Sequence, residues 1–206
     1  MKTVCKALIF LMAICSFAFA ADESGAALER GNKAFNRSDY EEAVKQFTQA
    51  IKIDPNYANA YLSRGSSYIA LGDYSKAIAD FTQIIKNDLN NKSAYYYRGN
   101  LYKDLGDYSM AISDYTQVIR IDLNHVDAHI KRGNSYKELG DHAKAIGDYT
   151  QAIKILPNYA GTYSIRGNLY QTLGDHKRAI QDARKACELG NCGLLQDMKR
   201  SGYIRN

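Results

Sequence analysis

Past its first twenty residues this chain of 206 has no apolar run of membrane length, and a spanning helix needs about 20 such residues. It also lacks a phosphate loop, a haem-attachment signature and a Cys-x-x-Cys pair, which removes the usual marks of nucleotide, haem and dithiol chemistry. Histidine is scarce, limited to His125, His129, His142 and His176. His125 and His129 are spaced to face one another across a turn and a helix start. No cysteine or carboxylate cluster lies beside them, so no metal site is expected. With no catalytic constellation in view, the chain reads as a non-enzyme that needs no cofactor.

The first twenty residues stand apart. Lys2 and Lys6 precede an apolar stretch from Ala7 to Phe19, and Ala18-Phe19-Ala20 supplies the small residues of a cleavage site. The stretch is short for a membrane span, so residues 1–20 read as a signal peptide and 21–23 as a short N-terminal segment. An uncleaved anchor is the alternative. Ile14, before Cys15, is too large for a lipoprotein site. The mature chain is then expected to be soluble, exported, and periplasmic or extracellular. It keeps two of four cysteines, Cys187 and Cys192. In an oxidising compartment, five positions apart, these read as a disulfide in preference to two free thiols. Loss of Lys2 and Lys6 takes the 27 basic residues to 25 against 22 acids. The surplus of three reads as spread along the chain, which gives no footprint for nucleic acid.

The organisation lies in a period. Arg-Gly recurs at Arg30, Arg64, Arg98, Arg132 and Arg166, 34 residues apart each time. Gly-Asp-Tyr or Gly-Asp-His follows at Gly72, Gly106, Gly140 and Gly174, with Ser38-Asp39-Tyr40 as a weaker first copy. Inside the third unit, Ala94, Tyr95, Arg98, Gly99 and Tyr102 fall on one helix face, and Ala111, Tyr115, Val118 and Ile119 on a second. Gly106-Asp107 supplies the stop and start between them. Each unit is a helical hairpin, and a fixed period of such hairpins means stacked repeats. A glycine inside every first helix costs about 1 kcal/mol relative to alanine, so it is expected to permit close approach. The expected partner is the alanine of the second helix: Ala43, Ala77, Ala111, Ala145 or Ala179.

In the fourth unit His129, Arg132-Gly133, Tyr136, Ala145, Tyr149, Ala152 and Pro157 fall where the tetratricopeptide repeat places its large residue, leucine-glycine, tyrosine, alanine, aromatic, alanine and proline. The chain resembles that family over residues 24–193. The resemblance implies an all-α, right-handed superhelical solenoid of five antiparallel helical hairpins: 24–57, 58–91, 92–125, 126–159 and 160–193. A C-terminal capping helix and tail, 194–206, would close it, with Leu194, Leu195 and Met198 on its inner face. Departures from the pattern are arginine for leucine before each glycine, Leu89 and Leu123 for proline, and Ala183 for the last aromatic. The arginines find acids sixteen positions on. Arg64 with Asp80, Arg98 with Asp114, Arg132 with Asp148 and Arg166 with Asp182 are expected to be structural ion pairs. Gln46 leaves Arg30 the least well paired. A row of arginines binding an acidic ligand is the alternative.

The resemblance further implies that first helices line a concave groove that holds a protein or peptide partner. One row of that groove is Leu28, Leu62, Tyr96, Ile130 and Ser164. A second is Asn32, Ser66, Asn100, Asn134 and Asn168, and a third is Phe35, Ile69, Lys103, Lys137 and Gln171. An asparagine amide both donates and accepts, which suits a peptide backbone; the alternative is that it serves its own repeat. Lysine is missing from the first row, where a carboxylate clamp would need it. The reading is an interaction scaffold of open oligomeric state. The rival readings are a self-assembling structural or envelope-associated component, and an enzyme or metal-binding accessory.

Overall fold

The computed structural model describes residues 22–204, and among these every regular element is helical. In chain order they are α1 (22–36), α2 (Tyr40–Ile53), α3 (Ala58–Ala70), α4 (Tyr74–Asn87), α5 (Lys92–Asp104), α6 (Tyr108–Ile121), α7 (Val126–Glu138), α8 (His142–Ile155), α9 (Ala160–Thr172), α10 (His176–Glu188) and α11 (Gly193–Arg200). They form two compact units that divide between Ala94 and Tyr95. The signal-peptide reading, residues 1–20, lies outside the described residues. The first helix starts at residue 22, ahead of the repeat boundary at 24, because Ser24 and Ala27 are already buried in its first turns. The last starts at Gly193, one residue before the expected cap.

Local chemistry sets the helix ends. Asp39, Asp107, Asp141 and Asp175 each accept a hydrogen bond from the backbone N–H three residues on, which caps the second helix of a hairpin. Gly72, Gly106, Gly140 and Gly174 end the first helices with φ between 77° and 81°, where a side chain is strained. In the first hairpin Ser38 takes that place at φ 61°, so the copy that looks weakest in sequence is also the strained one.

The spacing suggested that the glycines inside the first helices face the alanines, but at Gly31, Gly65, Gly99 and Gly133 the nearest side chains include a ring instead. Only Gly167 has its alanine close, with Ala179 O at 3.4 Å from an added Cβ. A Cβ on Gly65 would stand 2.7 Å from Phe81, and one on Gly133 2.7 Å from Tyr149. The glycine makes room for the ring of the second helix, which lies four residues past the alanine. Phe47, Phe81, Tyr115 and Tyr149 are all fully buried there. The fifth hairpin carries Ala183 at the ring position, and the cap fills the gap. A Cβ on Gly167 would meet Leu194 Cδ2 at 2.8 Å, while Leu194 and Met198 pack with Tyr170, Ala179 and Ala183.

The two ends are finished differently. Ser67, Leu101, Ser135 and Leu169 are buried one period apart, but the matching residue of α1 is Lys33, exposed and paired with Glu29 at 2.7 Å. A charged pair at that position gives a copy of the chain no apolar surface to stack on.

The contact distances predict a graded response to alanine. At Gly133 the new methyl collides with the Tyr149 ring, and overpacking should cost about 1–3 kcal/mol. At Gly99 the nearest atoms lie at 3.1 Å, so the helix-propensity gain of about 1 kcal/mol offsets most of the strain. Urea denaturation should therefore rank Gly133→Ala well below Gly99→Ala; equal stability of the two variants would contradict the ring-pocket account.

Candidate partner-binding surface

Each inner arginine is held by a fork. Arg64 Nε and Nη2 donate to the two carboxylate oxygens of Asp80 at 2.9 and 2.7 Å. The fork repeats between Arg98 and Asp114, Arg132 and Asp148, and Arg166 and Asp182. The aspartate side chains are only 3–7% exposed. A third nitrogen reaches the hairpin before: Nη1 of Arg64, Arg132 and Arg166 donates to Thr48, Thr116 and Thr150 at 2.8–3.0 Å. Tyrosine rings flank the guanidinium on both sides, Tyr61 and Tyr68 at Arg64 (5.5 and 5.9 Å) and Tyr163 and Tyr170 at Arg166 (6.0 and 5.9 Å). Arg30 instead donates to Gln46, whose amide donates in turn to Glu42. The four forked arginines are engaged within the fold, while Arg30 is exposed. The threonines are marked in the sequence by a Thr-Gln pair at Thr48, Thr82, Thr116 and Thr150 with the same period.

Burial raises the Asp114 carboxyl above its ordinary value although Arg98 opposes it. At Asp148 burial pushes the same way, but His129 and Arg132 together outweigh it and hold the carboxyl low. His129 occupies the position of Tyr163. Its Nδ1 lies 3.2 Å from Asp148 Oδ1, and its Nε2 3.3 Å from the Leu123 carbonyl. Tyr163 donates to the matching carbonyl, that of Pro157. His125 turns elsewhere and accepts the Ala128 N–H through Nδ1. The two histidines thus serve separate structural bonds and do not converge. His142 is half-buried with an unpartnered Nδ1, while exposed His176 stacks on Tyr203 at 4.6 Å.

None of the expected partner-binding residues is buried. Asn32, Lys137 and Asn168 are exposed, and Leu62, Ser66, Tyr96, Asn100, Lys103, Ile130 and Asn134 are half-buried. In the first unit Asn32, Phe35, Phe47, Ser63 and Ser66 line a cavity of about 240 Å³. In the second unit a cavity of about 390 Å³ is lined by Asn134, Lys137, Tyr149, Ile165 and Asn168, with His142, Leu169 and Thr172. The first five residues of each set are the same positions three periods apart. A notch between successive first helices, floored by the second-helix ring, is therefore a property of the repeat. Another cavity, of about 420 Å³, lies at Asn56, Asn87 and Asn91 and touches no expected binding position.

The asparagines are not all free for a guest. The Tyr115 hydroxyl donates to Asn100 Oδ1 at 2.9 Å, and Tyr149 to Asn134 Oδ1 at 2.7 Å. Where the ring is Phe81, the asparagine is replaced by Ser66, which turns to the Leu62 carbonyl. Tyr96 is engaged as well. Its hydroxyl donates to Asp127, and its ring sits 5.3 Å from His125 and 6.3 Å from Tyr115. Burial first, then Asp127, raises its phenol pKa. Lys103 and Lys137 pair with neighbouring Asp104 and Glu138 at 2.9 and 3.1 Å. Cys187 and Cys192 form a disulfide-capable pair, Cα atoms 4.0 Å apart, between the end of α10 and the start of α11.

Family models described as tetratricopeptide repeat match residues 93–125 and 126–159, and residues 58–91 and 160–189. One described as TPR repeat matches 31–72. Among solved structures, MamA is 28% identical with a TM-score of 0.73, over 77% of this chain and 93% of that one. MamA from Desulfovibrio magneticus RS-1 is 21% identical with a TM-score of 0.75, over 82% and 95%. YrrB, described as a TPR protein with an unusual peptide-binding site, is 18% identical with a TM-score of 0.73, over 89% and 97%. No curated protein matches the chain.

The Tyr–Asn bonds predict that the asparagine row is uneven. Asn134→Ala strands a buried tyrosine hydroxyl and should cost about 1–3 kcal/mol. Asn168, opposite Ala183, should tolerate alanine within about 0.5 kcal/mol. Pairing Asn134→Ser with Tyr149→Phe, as Ser66 is paired with Phe81, should restore most of the loss in chemical denaturation. Equal losses at Asn134 and Asn168 would refute the assignment.

Proposed function

The chain belongs to the tetratricopeptide repeat family, and on that premise we propose that it is an exported scaffold for protein–protein interaction. A partner segment lies along its first-helix surface. The observation that carries this reading is the notch at the same register in both units, floored by a buried ring and with an exposed asparagine on one wall. Asn32 stands on the leading wall of the first notch and Asn168 on the following wall of the second. Such a notch takes a side chain of an extended segment, and the outward amides of Asn32 and Asn168 suit its backbone. The family fold is typically that of a non-enzymatic scaffold, and YrrB joins it to a peptide-binding site. Export rests on residues 1–20, read as a signal. Lys33, the charged residue of α1 at a position that is buried in the later repeats, speaks against copies of the chain stacking end to end.

The test places a photo-crosslinking residue at Asn32 or Asn168 in the native host, with Lys52 and Lys154 as outward controls. The expected result is a discrete partner adduct from the two notch positions, in the exported fraction, on a chain that starts at Ala21. A second substitution in the same notch, Ser66→Arg or Lys137→Glu, should remove it. Adducts from the outward positions alone would overturn the groove; adducts on an uncleaved cytoplasmic chain would overturn export.

A further inference from the structure

The positive surplus is not spread along the chain. Residues 160–206 hold eight basic and four acidic residues, which leaves 17 and 18 for residues 21–159. The surplus thus belongs to the fifth repeat and the cap. Two of the four acids there are consumed internally, Asp182 by Arg166 and Asp175 as the cap of α10.

Helical geometry gathers the cations. At 3.6 residues per turn, Lys177, Arg178, Arg184 and Lys185 project within an arc of about 120°. All four are exposed, while Ala179, Asp182, Ala183 and Ala186 are buried on the other side of α10. Arg178 is engaged with Asp175 and the Tyr170 ring, and Lys185 with Glu188. Lys177 and Arg184 make no ion pair among the described residues.

Internal comparison makes this face unusual. Arg184-Lys185 stands where every earlier second helix carries Thr-Gln. Thr48, Thr116 and Thr150 are held to that position by the arginine of the next hairpin. After the fifth hairpin no such arginine follows, so the threonine is free to change. That freedom explains the loss of Thr-Gln but not its replacement by two cations. Solubility alone needs a polar end, which mixed charges supply.

We propose that the outer face of α10 docks on an anionic bilayer surface. Its cations diverge over a convex arc, and no residue of α10 lines any of the three cavities. A single bound anion or an acidic peptide calls for converging groups, whereas charge spread sideways fits lipid headgroups. The start of α10 carries side chains suited to the headgroup level: Leu173, just before the helix, is 46% exposed and Tyr203, stacked on His176, 47%. The face is separate from the first-helix notches, so a guest segment and a membrane can be held together.

The experiment uses the chain from Ala21, which contains every described helix, and vesicles of phosphatidylcholine alone or mixed with phosphatidylglycerol. Co-sedimentation is expected with the mixed vesicles only and should fall steeply with salt. The variant K177Q/R184Q/K185Q should partition roughly a hundredfold more weakly with an unchanged thermal melt. K52Q/K86Q/K154Q, which removes equal charge from earlier second helices, should bind like the parent. Equal binding to both vesicle types, no binding to either, or equal loss in the two variants overturns the proposal. So does binding of an acidic protein or an oligonucleotide at this face without vesicle binding.

Discussion

A guanidinium withdrawn from water must have its donors matched, and in this chain that requirement organises almost everything else. The arginines from Arg64 to Arg166 each have a nearly buried aspartate as fork partner, and two tyrosine rings pack against the guanidinium of Arg64, Arg98 and Arg166. Leaving either partner alone in that environment is far more costly than leaving an exposed ion without its mate. The fork therefore fixes the angle between the two helices of a hairpin. Its third nitrogen, bound to a threonine one hairpin earlier, carries the constraint across the repeat boundary. Glycine beside the arginine admits the ring of the second helix, and the small residues follow from that. In the first and fifth hairpins each device is replaced: Gln46 for the first aspartate, Leu194 for the last ring, Lys33 for the first buried side chain.

The same economy decides what is left for a partner. Polar groups that look available along the first helices divide into two classes. Asn100, Asn134 and Tyr96 are bound to Tyr115, Tyr149 and Asp127, and they hold the walls of the groove. Asn32 and Asn168 stand exposed beside a notch and are the amides that the proposed function assigns to a guest. The proposed scaffold would need both, because a groove whose walls move cannot hold an extended segment at a defined register.

Much of this was legible in the sequence, for a physical reason. A 34-residue period is visible because each hairpin must present the same faces to its neighbours, so Arg64 to Arg166 and Asp80 to Asp182 could be paired by spacing alone. Spacing does not say what stands opposite a glycine. Ala145 and Tyr149 are four residues apart on the same helix face, and only coordinates show that the ring, not the methyl, fills the space at Gly133. Nor does it say whether an asparagine on an outer row points at water or at a buried hydroxyl. The Tyr115–Asn100 and Phe81–Ser66 alternation held that information, in a pairing of rows that are read separately. The charge balance misled for a similar reason: a total near neutrality concealed a basic last repeat.

The central claim is that the arginine–aspartate fork acts as one unit within the hairpin. It is tested most directly by a double-mutant cycle at Arg166 and Asp182, read by urea denaturation. Each of Arg166→Met and Asp182→Leu should lose about 3–5 kcal/mol, and the double variant should lose much less than the two together, since neither charge is then stranded. Single losses under about 1 kcal/mol that simply add would show an ordinary surface ion pair, and the account would fail.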